Sequence, residues 1–172
     1  MEITEQANEF LLSTALEGRS YPETAKALNV PRATLTQWEL QHKDRYKHLA
    51  LVRRIFLRKK FERITPREFL HWYDNTNRRC YYCKITEDEI RLLDEHKLIH
   101  TKRLTTRGRT LEIERIEPNE KYDNIKNLTY CCYWCNNAKS DEFSASEFIH
   151  IGKLIGDIWN RRIAKIRENQ NP

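Results

Sequence analysis

Apolar positions along the chain change period twice. Up to about residue 64 they recur at helical spacing, around 111–116 they alternate with polar residues, and beyond residue 144 helical spacing returns. In the run from Thr24 to Trp38, Ala25 and Leu28 share a helix face. Asn29-Val30-Pro31 then breaks the helix, and Leu35 and Trp38, three apart, restart it. Residues 43–64 predict one helix with Leu49, Val52 and Phe56 on its apolar side. Thr65-Pro66-Arg67-Glu68 opens another, with a capping threonine, an early proline and a glutamate three residues on. Phe69, Trp72 and Tyr73 form its apolar face, and a domain boundary is expected near residue 64. Leu111–Ile116 and Asn127–Cys132 read as strands, and a short helix begins near Tyr133. Ser144-Ala-Ser-Glu147 is a second capping pattern; it opens a long helix with Phe148, Ile151, Ile155, Ile158, Trp159 and Ile163 as expected core. Residues 85–107 are mixed and basic and fit no period.

Ala25, Val30, Leu35 and Trp38 stand where a helix-turn-helix needs small or apolar residues. The segment resembles that motif of bacterial DNA-binding proteins. Arg32, Thr34, Thr36 and Gln37 then lie on the outer face of the second helix, with side chains able to reach base edges or phosphates. A helical hairpin with a tight turn has the same pattern.

Charge sharpens the picture. The chain has 172 residues and a net charge of +6. Between Lys43 and Arg67 ten basic residues face only Asp44 and Glu62, a local excess of eight positive charges. That field favours a polyanion, and Arg53, Arg54, Lys59 and Lys60 are the candidate phosphate contacts. No run of about 18 apolar residues is present, so no membrane-spanning helix is expected. The first ten residues have neither the basic nor the apolar run of a targeting signal, and a cytoplasmic location is expected.

The five cysteines fall as Cys80-x-x-Cys83 and Cys131-Cys132-x-x-Cys135. Two C-x-x-C pairs about fifty residues apart suit a tetrahedral zinc, closed by the four thiolates of Cys80, Cys83, Cys132 and Cys135 and therefore structural. Cys131 lacks the spacing and is assigned to the core.

The order Leu111-Glu-Ile-Glu-Arg-Ile-Glu-Pro118, Asn127-Leu128, then Cys132-x-x-Cys135-Asn136-Asn-Ala-Lys139-Ser-Asp141 resembles the HNH, or ββα-metal, nuclease family over roughly residues 65–165. The family motif places a histidine base after an acidic residue; here Glu114 is followed by Arg115. A narrower group of restriction enzymes in the family has arginine at that place and a tyrosine base seven residues on, which here is Tyr122. By that resemblance Glu114 and Asn136 hold a catalytic Mg²⁺ or Mn²⁺, Arg115 clamps a phosphate, and Tyr122 is the base. Asn127 ties the loop to the fold, and Lys139 meets a phosphate. The group's ligand is aspartate, and Glu114 is one methylene longer. Glu112 and Glu114 share one strand face, as they would on a solvated strand edge. His96 and His100 are the nearest histidines upstream.

The expectation is an α+β chain in three parts. Residues 1–42 form a helix-turn-helix module, 43–64 a basic connecting helix, and 65–172 a nuclease domain stapled by zinc. The implied activity is sequence-specific cleavage of double-stranded DNA, like that of a type II restriction enzyme, by a two-fold homodimer. The alternatives are a mobile-element or phage nicking nuclease and a DNA-binding regulator with a decayed nuclease domain.

Overall fold

A computed structural model describes residues 3–100 and 107–170. Residues 101–106, part of the segment with no readable period, lie outside them. The chain divides into two compact units, Met1–Asn75 and Thr76–Pro172.

The first unit is all helical. α1 (Glu5–Leu11) starts at a Thr4 cap and runs on into a π-helical turn, Leu12–Leu16. α2 (Tyr21–Leu28) opens on a Ser20–Glu23 capping box and ends at Asn29, which takes the left-handed conformation. α3 (Arg32–Gln41) follows Pro31 directly. Leu35 is buried, whereas Ala25, Val30 and Trp38 are half-buried and Thr24 takes the inner place on α2. Trp38 leans on Phe10, and the Tyr21 hydroxyl donates to Glu39, fastening α2 to α3. α4 (Lys43–Lys59) buries Leu49 and Val52 and stops at left-handed Lys60, earlier than the periodicity suggested. α5 (Pro66–Asn75) completes the unit.

The boundary therefore falls after Asn75, not near residue 64. Two observations place α5 with the first unit. Phe69 stacks among Phe56, Phe61 and Trp72. Arg67 donates to both Glu9 and Glu17. Helix α4 is accordingly a packed member of this unit and not a bare connector.

The second unit is built on a two-stranded antiparallel hairpin. β1 (Glu112–Arg115) pairs with β2 (Leu128–Cys131), Glu114 opposite Thr129 and Arg115 opposite Leu128. Period-2 alternation buries Ile113 and turns Glu112 and Glu114 to the other face. Between the strands, Asn127 fixes the loop. Its side chain accepts from the Glu117 amide at 2.8 Å and donates to the Glu117 carbonyl at 3.1 Å. The short helix α7 (Tyr133–Lys139) follows, packed on β1. α8 (Ala145–Gln170) is the long helix expected after Ser144. Its core side is Phe148, Trp159, Ile163 and Ile166; Ile151 and Ile158, expected inside, are exposed with Leu154 in one stripe. The inner face instead carries Gly152 and Gly156, against which the first cysteine pair rests. The stretch after Ile85 holds α6 (Glu87–Glu95), opened by a Thr86–Glu89 capping box, with Ile90 and Leu93 buried.

Candidate active site and metal centre

The four thiols of Cys80, Cys83, Cys132 and Cys135 are buried and their sulfurs lie within 4.8 Å of one another. Cys83 and Cys132 are 3.6 Å apart. Zinc–sulfur bonds of about 2.3 Å in a tetrahedron put sulfurs about 3.8 Å apart, a spacing close to that of this cluster, so the four thiols could hold a zinc ion. A disulfide would need about 2.05 Å, and all the cysteines are free. Two backbone turns shape the site. The first pair is closed by left-handed Lys84, whose amide donates to the Cys80 carbonyl. In the second, Cys132 caps α7 and its sulfur accepts from the Cys135 amide. Hydrogen bonds from neighbouring thiols pull Cys80 far below the ordinary thiol range. Cys131 is buried beside Cys80 and pushed up by its hydrogen bond to Cys80 and by burial. A divalent cation at the centre would displace the ligand protons outright.

On the outer face of β1 the charged groups converge. The Tyr122 hydroxyl lies 3.5 Å from Glu114 Oε2, and the Glu114 Oε1 accepts from the Arg115 amide at 2.9 Å. The Arg115 guanidinium sits over the Tyr122 ring, 4.8 Å from its centroid, and donates at 3.1 Å to the Glu120 carbonyl and to Asp141. Burial, then the charge of Glu114, push the Tyr122 hydroxyl up to about 12; Arg115 pulls the other way and loses. Arg115 therefore favours the phenolate, but by less than burial and Glu114 oppose it.

Asn136, on the first turn of α7, donates at 2.6 Å to Glu112 rather than to Glu114. Glu112 also takes a bidentate grip from Arg107, both contacts 2.6 Å, while Arg107 lies over the Tyr133 ring. Glu112 thus enters the site as a residue to which the sequence reading assigned no role. Its signal was the alternation it shares with Glu114.

Lys139 is a correction. Expected on a phosphate, it is buried at 1% exposure, and its Nζ has no hydrogen-bond partner among the described residues. Cys132, Cys135 and Lys139 follow at i, i+3 and i+7, so the lysine points inward with the cysteines. His96, at the C-terminal cap of α6, has its Nδ1 2.9 Å from the Leu92 carbonyl, and His100 is exposed. In the first unit Arg32, Thr36 and Gln37 are exposed on α3 and Thr34 is half-buried. Arg54 and Lys60 are exposed on α4 and at its end, and Lys59 is half-buried. Arg53 is half-buried, its guanidinium laid over Gly18.

The hairpin is followed by a short helix and accompanied by four thiols that could hold a structural metal, and the chain resembles the HNH family. Among solved structures it is similar to the rare-cutting HNH restriction endonuclease PacI, at 32% identity with a TM-score of 0.47. The match covers 58% of this chain and 66% of that one, short of two thirds of the enzyme's length. No protein-family model matches the chain, and no curated protein does.

Proposed function

We propose that this chain is a metal-dependent DNA endonuclease of the HNH type, cutting at a specific sequence as type II restriction enzymes do. The observation that carries the reading is the convergence of the Glu114, Arg115 and Tyr122 side chains at the end of β1. The phenol stands 3.5 Å from the carboxylate, with the guanidinium 4.8 Å above its ring.

Hydrolysis of a phosphodiester needs an activated water and positive charge for the developing dianion. Glu114 and the amide oxygen of Asn136 are a hard-donor pair suited to Mg²⁺ or Mn²⁺, which would polarise the non-bridging and leaving oxygens. Tyr122 takes the water's proton as the phenolate, once its own proton has passed to solvent. Burial and the negative charge of Glu114 hold that proton on the phenol, so offsetting the Glu114 charge favours the phenolate. Arg115 reaches a phosphate by exchanging Asp141, a partner whose side chain is 82% exposed. In the first unit, Arg32, Thr36 and Gln37 supply groove-facing side chains, and Arg54 and Lys60 lie ready for phosphates. Cutting both strands of a palindromic site calls for a two-fold homodimer.

A second reading is a DNA-binding module that no longer cuts. It is favoured by a Tyr122 that keeps its proton and an Arg115 already tied to Asp141 and Glu120. Incubating phage genomic DNA with Mg²⁺ or Mn²⁺ and either wild type or Tyr122→Phe separates the two. Discrete fragments from wild type alone support a tyrosine-dependent nuclease. Fragments from both remove Tyr122 as the base. Intact DNA throughout, with retained binding, favours the second reading.

A further inference from the structure

Glu112 has no part in the chemistry above, yet it touches the one amide that does. We infer that Glu112 is a positioning residue that sets which way the Asn136 amide faces, and thereby gives the catalytic cation its oxygen ligand. The inference rests on the proposed metal site of Glu114 and Asn136.

A side-chain amide has a donor end and an acceptor end of nearly the same shape. Left alone on a half-exposed turn of α7, Asn136 has no reason to present one end rather than the other. An ionised carboxylate accepts only, so at 2.6 Å from Glu112 Oε2 the amide must present Nδ2. Its Oδ1 is thereby turned away from Glu112 and left to meet a cation. The carboxylate is itself held. Arg107 grips both its oxygens at 2.6 Å and stacks over Tyr133, the first residue of α7. That grip occupies Glu112 with a cationic partner, which fits an orienting role better than direct ligation. Glu112 and Glu114, two apart on β1, then divide the work: one orients the amide ligand, the other supplies the charged one. Outer-shell partners of this kind are worth about 10–100-fold in metal affinity.

The test is a double-mutant cycle on Mn²⁺ binding by the full chain, read by electron paramagnetic resonance with zinc already in the cysteine site. Wild type, Glu112→Gln, Asn136→Ala and the double variant are titrated, with Glu114→Ala defining the site. Glutamine can donate as well as accept, so it releases the constraint on Asn136 at nearly constant volume. Weakening by about tenfold in Glu112→Gln, with no further loss when it is added to Asn136→Ala, is the expected result. Equal Mn²⁺ affinity in wild type and Glu112→Gln overturns the inference. So does an undiminished loss in the Asn136→Ala background, which would make Glu112 a ligand or a long-range charge. Glu112→Asp keeps the charge but withdraws it from Asn136, and should weaken Mn²⁺ as Glu112→Gln does; it also serves if the glutamine variant loses its zinc or its melting transition. Mn²⁺ binding that ignores Glu114→Ala refutes the metal site itself, a failure distinct from that of the positioning role.

Discussion

Gly152 and Gly156 on α8 allow a sharp test of how the cysteine centre is held. In an open helix interior, replacing glycine by alanine adds about 1 kcal/mol of stability, because alanine restricts the unfolded chain and suits the helix. Here the sign should reverse. A Cβ at Gly156 would stand 2.7 Å from the Cys83 carbonyl oxygen. One at Gly152 would stand 2.5 Å from Tyr82 Cβ, with Tyr82 backbone atoms at 3.1 Å. Carbon contacts are comfortable at about 3.5–4.0 Å, so several tenths of an ångström to more than one must be absorbed. The obstructing atoms are backbone or the first side-chain carbon, which cannot swing aside as the end of a long side chain does. Relief must push Tyr82 and Cys83 away from α8, and with them one side of the thiolate tetrahedron. Overpacking of this kind costs about 1–3 kcal/mol, so a net loss of up to about 2 kcal/mol remains after the helix gain. For a unit of this size each kcal/mol lost lowers Tm by roughly 4–8 °C. Calorimetry of the zinc-loaded single variants measures it, with Asn160→Ala on the exposed side of α8 as a control that should gain a few tenths of a kcal/mol. Zinc release to a chelator should quicken in both glycine variants. A Gly156→Ala protein that melts higher than wild type would refute the claim that the first cysteine pair rests on the α8 backbone.

Removing zinc should melt the second unit while the first keeps its helical signal, because the four buried cysteines supply folding energy only to Thr76–Pro172. Fluorescence of Trp134, packed 4.9 Å from Trp159, reports the loss, and an unchanged spectrum would sink the structural role. Asn127→Ala should cost about 2–3 kcal/mol in urea denaturation, since it strips two hydrogen bonds from the Glu117 loop at a buried position. Acid should loosen the contact of α5 with α1. The Arg67 hydrogen bond holds Glu9 below the usual carboxylate range, so the contribution is full above the unfolded pKa and is lost as pH falls through the folded one. Comparing acid melting of wild type with Arg67→Ala checks this; the two should differ at neutral pH and converge at low pH.

Much of the helical and strand layout was legible because local periodicity and capping carry it. The Ser144–Glu147 box placed α8, and Leu111–Ile116 contained β1. The Thr86–Glu89 box before Ile90 and Leu93 carries the same signal for α6, inside a segment whose remainder has no period. Burial along α8 departs from the expectation because a helix with apolar residues on two sides does not say which side faces in. Two glycines on the inner face decided it by admitting the first cysteine pair, which left Ile151 and Ile158 outside.

The sequence by itself determined the two C-x-x-C pairs, the hairpin and short helix between and after them, and the basic run of α4, since these are properties of spacing and composition. Only the tertiary structure decided which groups meet. It set Asn136 against Glu112, put Arg115 over Tyr122, raised the Tyr122 hydroxyl through burial and Glu114, and turned Lys139 inward with the cysteines. Those outcomes depend on distances between residues far apart in the chain, and on the water each contact excludes. Neither is written in the order of the residues alone.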